Sequence, residues 1–221
     1  MTTVAIVGAG AGLGQAAARR FGREGFSVAL ISRTQANVDR LAAELAEEGI
    51  AARGCAADVQ DRVALAAALE KAAAELGAIE VLQYSPVPRK DFLRGVLETT
   101  VDELAAAAEF SILGAATAVT TVLPGLRELG RGTVLLVNGS SAAAPNGNVA
   151  GTSTAFAGES AYGRMLHDAL APEGIHVGQL IIPGAIGGGD PLYAPDALAE
   201  RLWTIHTERG RFRTTVGEEA A

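Results

Sequence analysis

Val4-Ala5-Ile6-Val7-Gly8-Ala9-Gly10-Ala11-Gly12-Leu13-Gly14 decides the fold of this 221-residue chain. An unbroken apolar run of strand length passes into alternating glycines and then into a helical pattern over 12–24. Such a run reads as a strand buried on both faces. Glycine permits a tight turn and lets the backbone approach an anion. The unpaired N–H groups at a helix start favour a pyrophosphate there. A glycine motif alone is common; its place in a strand–loop–helix–strand unit gives it meaning.

Outward from that unit, short β-branched runs alternate with long Ala/Leu-rich stretches. Strands are expected at 3–7, 27–31, 50–54, 79–84, 133–138, 175–182 and 212–216, and helices at 12–24, 35–48, 60–76, 100–127, 148–171 and 195–209. Gly25, Gly49, Gly77 and Gly174 follow helices, as C-terminal caps do. No Pro/Ser-rich linker interrupts the pattern. It predicts one α/β domain over 1–221, with a doubly wound, mainly parallel seven-stranded sheet and helices on both faces.

Hydrophobic residues at 49% with 19% charged exclude a disordered chain. A net charge of −7 and only two lysines, Lys71 and Lys90, argue against a nucleic-acid surface. The lone Cys55 makes no internal disulfide, and no His/Cys/carboxylate spacing suits a metal. Val4–Val7 is too short for a signal or membrane segment, and 177–182 is strand-length, so a cytoplasmic protein without a membrane partner is expected. Arg89, Lys90 and Arg94, with Lys71, read as a small solvated cluster.

Four features in order resemble the short-chain dehydrogenase/reductase family across most of the chain. They are Gly8-x3-Gly12-x-Gly14, Asp58-Val59 after the third strand, Asn138-Gly139-Ser140-Ser141 ending the fifth, and Pro183-Gly184 after the sixth. Val7 stands where that family usually has threonine. The resemblance implies a Rossmann fold and an NAD(P)(H)-dependent oxidoreductase acting on a carbonyl, alcohol or activated double bond. It implies cofactor contacts at Gly8, Gly10, Gly12, Leu13, Gly14, Asp58, Val59, Pro183 and Gly184. Ser141 is implied as the serine that orients the substrate oxygen, and a homodimer or homotetramer as the assembly. At the end of the second strand an acidic residue would bind the ribose 2′-hydroxyl of NAD. Here Ser32 and Arg33 stand instead and suit the 2′-phosphate, so NADP(H) is favoured over NAD(H).

The family's Tyr-x3-Lys is not found. Four residues after Tyr84, Tyr162 and Tyr193 stand Pro88, Leu166 and Ala197, and no lysine follows Lys90. Three alignments put Thr154 and Gly158, Thr152 and Phe156, or Phe156 and Ser160 at the two positions. Gln83-Tyr84-Ser85-Pro86 replaces the family's Asn-Asn-Ala-Gly, and Ser111 replaces its helix asparagine. The threonine after Pro-Gly is lost within Ala185-Ile186-Gly187-Gly188. The phosphate end is kept and the nicotinamide end is rewritten. An unperturbed tyrosine, with a pKa near ~10, is a poor proton shuttle at neutral pH without a nearby cation. Tyr84, Tyr162, Tyr193 and Glu159 remain as acid–base candidates, and 187–193 as a short lid. His167 and His176 read as structural, and His206 lies on an amphipathic helix. A non-catalytic NADP-binding sensor or partner-binding protein on the same fold is the alternative.

Overall fold

A computed structural model describes residues 2–218; Met1 and residues 219–221 of the expected 1–221 unit lie outside the described residues. Strands β1 (Thr3–Val7), β2 (Ser27–Ser32), β3 (Ala52–Ala56), β4 (Ile79–Tyr84), β5 (Gly132–Gly139), β6 (Ile175–Ile182) and β7 (Arg213–Thr215) form one sheet. Its order is β3-β2-β1-β4-β5-β6-β7, and every pairing is parallel. Parallel neighbours require crossovers over the sheet faces. These carry helices α1 (Leu13–Arg23), α2 (Gln35–Glu47), α3 (Arg62–Leu76), α4 (Val101–Ala108), α5 (Gly114–Leu129), α6 (Ala150–Leu170) and α7 (Pro195–Glu208).

Strand alternation sorts the interior into two layers. Val4 and Ile6 join Val28, Leu30 and Leu180 in the layer covered by α1, α2 and α7. Ala5 and Val7 join Ala29, Ile31 and Leu82 in the layer covered by α3 and α5. β3 begins two residues later than the pattern predicts because Ile50 belongs to the end of α2. Gly49, at φ +79°, donates to Ala46 O, and Ile50 N donates to Leu45 O. This is a Schellman closure that draws the Ile50 side chain into the core.

The expected helix over 100–127 is interrupted. Thr100 and Glu103 close a capping box at the start of α4. A single π-helical turn, Glu109–Leu113, then separates α4 from α5. The wider turn is stabilised from the sheet, where Tyr84 at the end of β4 donates its hydroxyl to Phe110 O. Gly114 makes room, since a Cβ there would overlap the Tyr84 hydroxyl. The continuous Val101–Leu129 stretch is long and apolar enough, by length and composition, to cross a membrane, with an 18-residue window at a mean hydropathy of 1.5. Much of that apolarity is the inward face of α5, where Ala115, Ala118, Val119, Val122 and Leu126 are buried.

Tyr84→Phe leaves the Phe110 carbonyl without its donor, so a urea melt is expected to show a loss of about 1–3 kcal/mol. Gly114→Ala displaces the same hydroxyl. The two substitutions together are expected to cost less than their sum.

Candidate functional site

β1 and β4 are neighbours whose following connections leave the sheet in different directions, the point where doubly wound sheets bind ligands. The loop after β1 folds over the end of β2, with Gly8 N and Ala9 N both donating to Ile31 O, at 2.9 and 3.0 Å. Gly8 has φ +92°, and a Cβ on it would lie 2.5 Å from the Pro86 backbone. Gly14 is less tightly constrained, since a Cβ on it would lie 3.0 Å from Ala9 Cα. Gly10 and Gly12 instead face open space. α1 starts at that opening with no side-chain cap and no acidic residue in its first turn. Gln15 N of the first turn donates to Gly10 O at 2.9 Å, which leaves the amides of Leu13 and Gly14 to face an external anion. A pyrophosphate fits this cradle.

Two cavities extend from the cradle, sharing Gly8, Gly10, Pro86 and Val87. The first, about 300 Å³, brings together Ser32 and Arg33 from the end of β2 with Asp58 and Val59 from the end of β3. Arg33 is exposed and forms no ion pair among the described residues. Asp58 accepts from Gln60 N at 3.0 Å, which turns the chain into α3. Thr34, Asn37 and Arg89 complete the polar rim. Arg89 belongs to the group that reads from sequence as a solvated cluster. In the structure it donates to Gln60 Oε1 at 3.1 Å and lines the same cavity as Arg33.

The second cavity, about 440 Å³, is lined by Leu13, Val137, Phe156, Ile182 and Ile186, with Gly12, Gly14 and Gly184. Among the described residues its side-chain polarity is confined to Ser85 and Asn138, and no ionisable group lines it. Ser85 is oriented from below, its Oγ accepting from Gln83 Nε2 at 2.9 Å. Of the three alignments considered for the missing motif, only Phe156 reaches the wall. Thr154 is exposed, Thr152 donates to Phe92 O at 3.2 Å, Gly158 packs on Ile112, and Ser160 is tied to Gln179. Ser141 is buried at 7% exposure in the turn after β5 and does not line the cavity; Asn138 and Gly139 do. Pro183 is exposed and off the wall, while Gly184 is on it.

None of the tyrosines lines either cavity. Tyr84 is committed to Phe110 O, and burial raises its phenol well above the ordinary range. Burial also raises half-buried Tyr162 on α6. The Tyr193 ring packs over Gly184, in a 3₁₀ turn, Pro191–Tyr193, within the expected lid. No histidine lines either cavity, and two are hydrogen-bonded within the fold. His206 Nδ1 meets Thr133 Oγ1 at 2.8 Å and His167 Nδ1 meets Val177 O at 2.8 Å. Burial, then the neighbouring His167, lowers His176 to about 4.

Under the second cavity runs a buried polar chain that sequence patterning does not reveal. Glu159 on α6, at 1% exposure, accepts from Asn138 Nδ2 at 3.0 Å and from Ser111 Oγ in the π turn. Asn138 Oδ1 accepts from Gln179 Nε2 at 2.8 Å. Gln179 Oε1 accepts from Ser160 Oγ and from Arg213 Nε, each at 2.9 Å. Burial pushes the Glu159 carboxyl up to about 7, against the two donors that favour its charge.

A carboxyl raised from 4.5 to about 7 binds its proton more tightly in the folded state. Its stabilising contribution is therefore full below 4.5 and is lost as pH rises through about 7. Unfolding free energies measured across that window are expected to fall by on the order of 3 kcal/mol for this group. The fall is expected to be absent in Glu159→Gln.

The comparisons with known proteins agree with this fold. The family model described as short chain dehydrogenase matches residues 2–189. Short-chain reductase protein NovJ of Streptomyces niveus is 32% identical over 218 residues, covering 98% of this chain and 77% of that protein. A solved short-chain dehydrogenase from Rhodopseudomonas palustris superposes with a TM-score of 0.86 at 23% identity, covering 99% of both chains. A metagenomic short-chain oxidoreductase solved in complex with NADP gives a TM-score of 0.83 at 20% identity, covering 97% of this chain and 95% of that one.

Proposed function

The chain belongs to the short chain dehydrogenase family, and from that premise we propose that it is an NADP(H)-preferring oxidoreductase of a carbonyl, alcohol or activated double bond. The observation that carries the reading is the open glycine cradle at an uncapped helix start, flanked by one polar and one apolar cavity. When bound, the nicotinamide supplies the hydride chemistry; this chain's residues bind, orient and exclude water.

In this reading the amides at the start of α1 hold the pyrophosphate, and Asp58 and Val59 border the adenine. Arg33 with Ser32 takes the 2′-phosphate, and Arg89 adds a second cation on the same rim. The apolar cavity receives the nicotinamide end. Its walls keep water away, and Ser85 and Asn138 offer the polar contacts. Because no ionisable side chain lines that wall, the active site departs from the family's tyrosine–lysine pattern. The wall best suits a substrate that needs little proton assistance, such as an activated double bond. Ser141 would hold the substrate oxygen only by turning from its buried place after β5 toward the cavity that Asn138 and Gly139 line, and a homo-oligomer remains the proposed assembly.

Calorimetric titration with NADPH, NADH and their oxidised forms tests the reading. NADPH is expected to bind more tightly than NADH. Arg33→Ala is expected to weaken NADPH by about tenfold or more, the loss of one charge-assisted contact, while leaving NADH nearly unchanged. Absence of binding by all four forms would overturn the proposal, and binding without turnover of carbonyl or enone substrates would favour the sensor reading. In a substrate screen, Ser141→Ala is expected to lower kcat with little change in cofactor affinity; unchanged turnover would remove Ser141 from the site.

A further inference from the structure

Every hydrogen bond in the chain beneath the apolar cavity points the same way. Arg213 on β7 and Ser160 on α6 donate to Gln179, Gln179 donates to Asn138, and Asn138 donates to Glu159. Ser111 donates to the other carboxylate oxygen from the π turn. A carboxylate is acceptor-only, so the arrangement is complete with Glu159 ionised. Glu159 makes no ion pair among the described residues. The cation of the chain, Arg213, acts on it only through Gln179 and Asn138.

Asn138 is where this chain meets the cavity. One amide N–H goes to Glu159, and the other has no protein partner among the described residues. A negative charge one hydrogen-bonded residue behind an apolar wall is weakly screened. It acts differently on a neutral ring and on the same ring carrying a positive charge.

We propose that Glu159 is a positioning residue that selects the charge state of the ring bound in this cavity, favouring an oxidised, cationic nicotinamide over the reduced, neutral one. The proposal rests on the cofactor reading above. Burial places the ionisation of Glu159 near neutrality, so the selection is switched by pH. The other groups facing this carboxyl are few. Tyr84 of β4 feels its charge and stays protonated, and Asp58 acts on that same phenol. The π turn contributes Ser111 and β5 contributes Asn138, neither ionisable. Binding is reciprocal, so the oxidised cofactor draws a proton out of Glu159 and the reduced one does not.

The test is titration of the intact protein with NADP+ and with NADPH at a series of pH values across the Glu159 transition. The preference for NADP+ over NADPH is expected to rise by about tenfold with pH, the effect of one pKa unit of linkage. In Glu159→Gln the ratio is expected to stay flat. Ser111→Ala removes a donor to the carboxylate and is expected to move the midpoint to higher pH. It also carries the test if Glu159→Gln folds poorly. Carboxyl ¹³C NMR of the cofactor-free protein is expected to show one glutamate titrating near neutrality that is missing in Glu159→Gln. A flat ratio in the wild type, or the same rise in Glu159→Gln, overturns the proposal. If neither cofactor binds at any pH, the cofactor reading fails and this proposal with it. A normal NMR titration beside a flat ratio overturns the proposal while leaving the cofactor reading standing.

Discussion

Backbone meets backbone at the switch point of the sheet. Gly8 lies so close to Ser85 and Pro86 that no side chain can be placed between them. That contact brings the loop after β1 against the loop after β4 and divides the crevice into its two cavities, both of which include Gly8 and Pro86. It also presents the start of α1 to the opening between them. A substituent on Gly8 would have to separate the two loops and would alter both compartments together. The remaining glycines of the motif have different tasks: Gly14 permits the packing of α1 on Ala9, and Gly10 and Gly12 leave space.

The two compartments differ in how they treat charge. At the polar rim Arg33 and Arg89 are exposed, and water lowers the cost of their charge whether or not an anion is bound. Around the apolar cavity the protein keeps charge off the wall and stores it underneath, in Glu159, behind an amide. A buried carboxyl is expensive to ionise, and the converging donors from Ser111 and Asn138 offset part of that cost. The π turn belongs to the same arrangement, because Ser111 sits within it and Tyr84 stabilises it from the sheet.

The α/β alternation and the glycine loop are legible in the sequence because each depends on local spacing, whereas Asp58-Val59 stands out only through the family resemblance. β3 was displaced because Ile50 reads as a strand residue until the closure of α2 around Gly49 is known. Arg89 lies on a loop far from Arg33 in the chain, and only the fold brings both to one cavity. That no lysine stands four residues after a tyrosine is visible by counting, but which residue faces the cavity is not. Three alignments were open, and helix rotation selects Phe156. Glu159 reads from sequence as a possible base near the crevice. Its burial and its bond to Asn138 required three separate elements to be placed together.

The π turn can also be viewed as one residue more than a continuous α-helix would hold over the same span. Each residue of an α-helix accounts for about 100° of rotation. The extra residue therefore sets the angular phase between the cap-proximal segment α4 and the sheet-packed segment α5. A lineage that lost one residue here would keep both helices and their composition, yet would present a different stripe of α4 to α6. Ser111 and Gly114 would no longer both face their present partners. Length in this short segment is thus a constraint separate from residue identity, and substitutions should be tolerated there more readily than insertions or deletions.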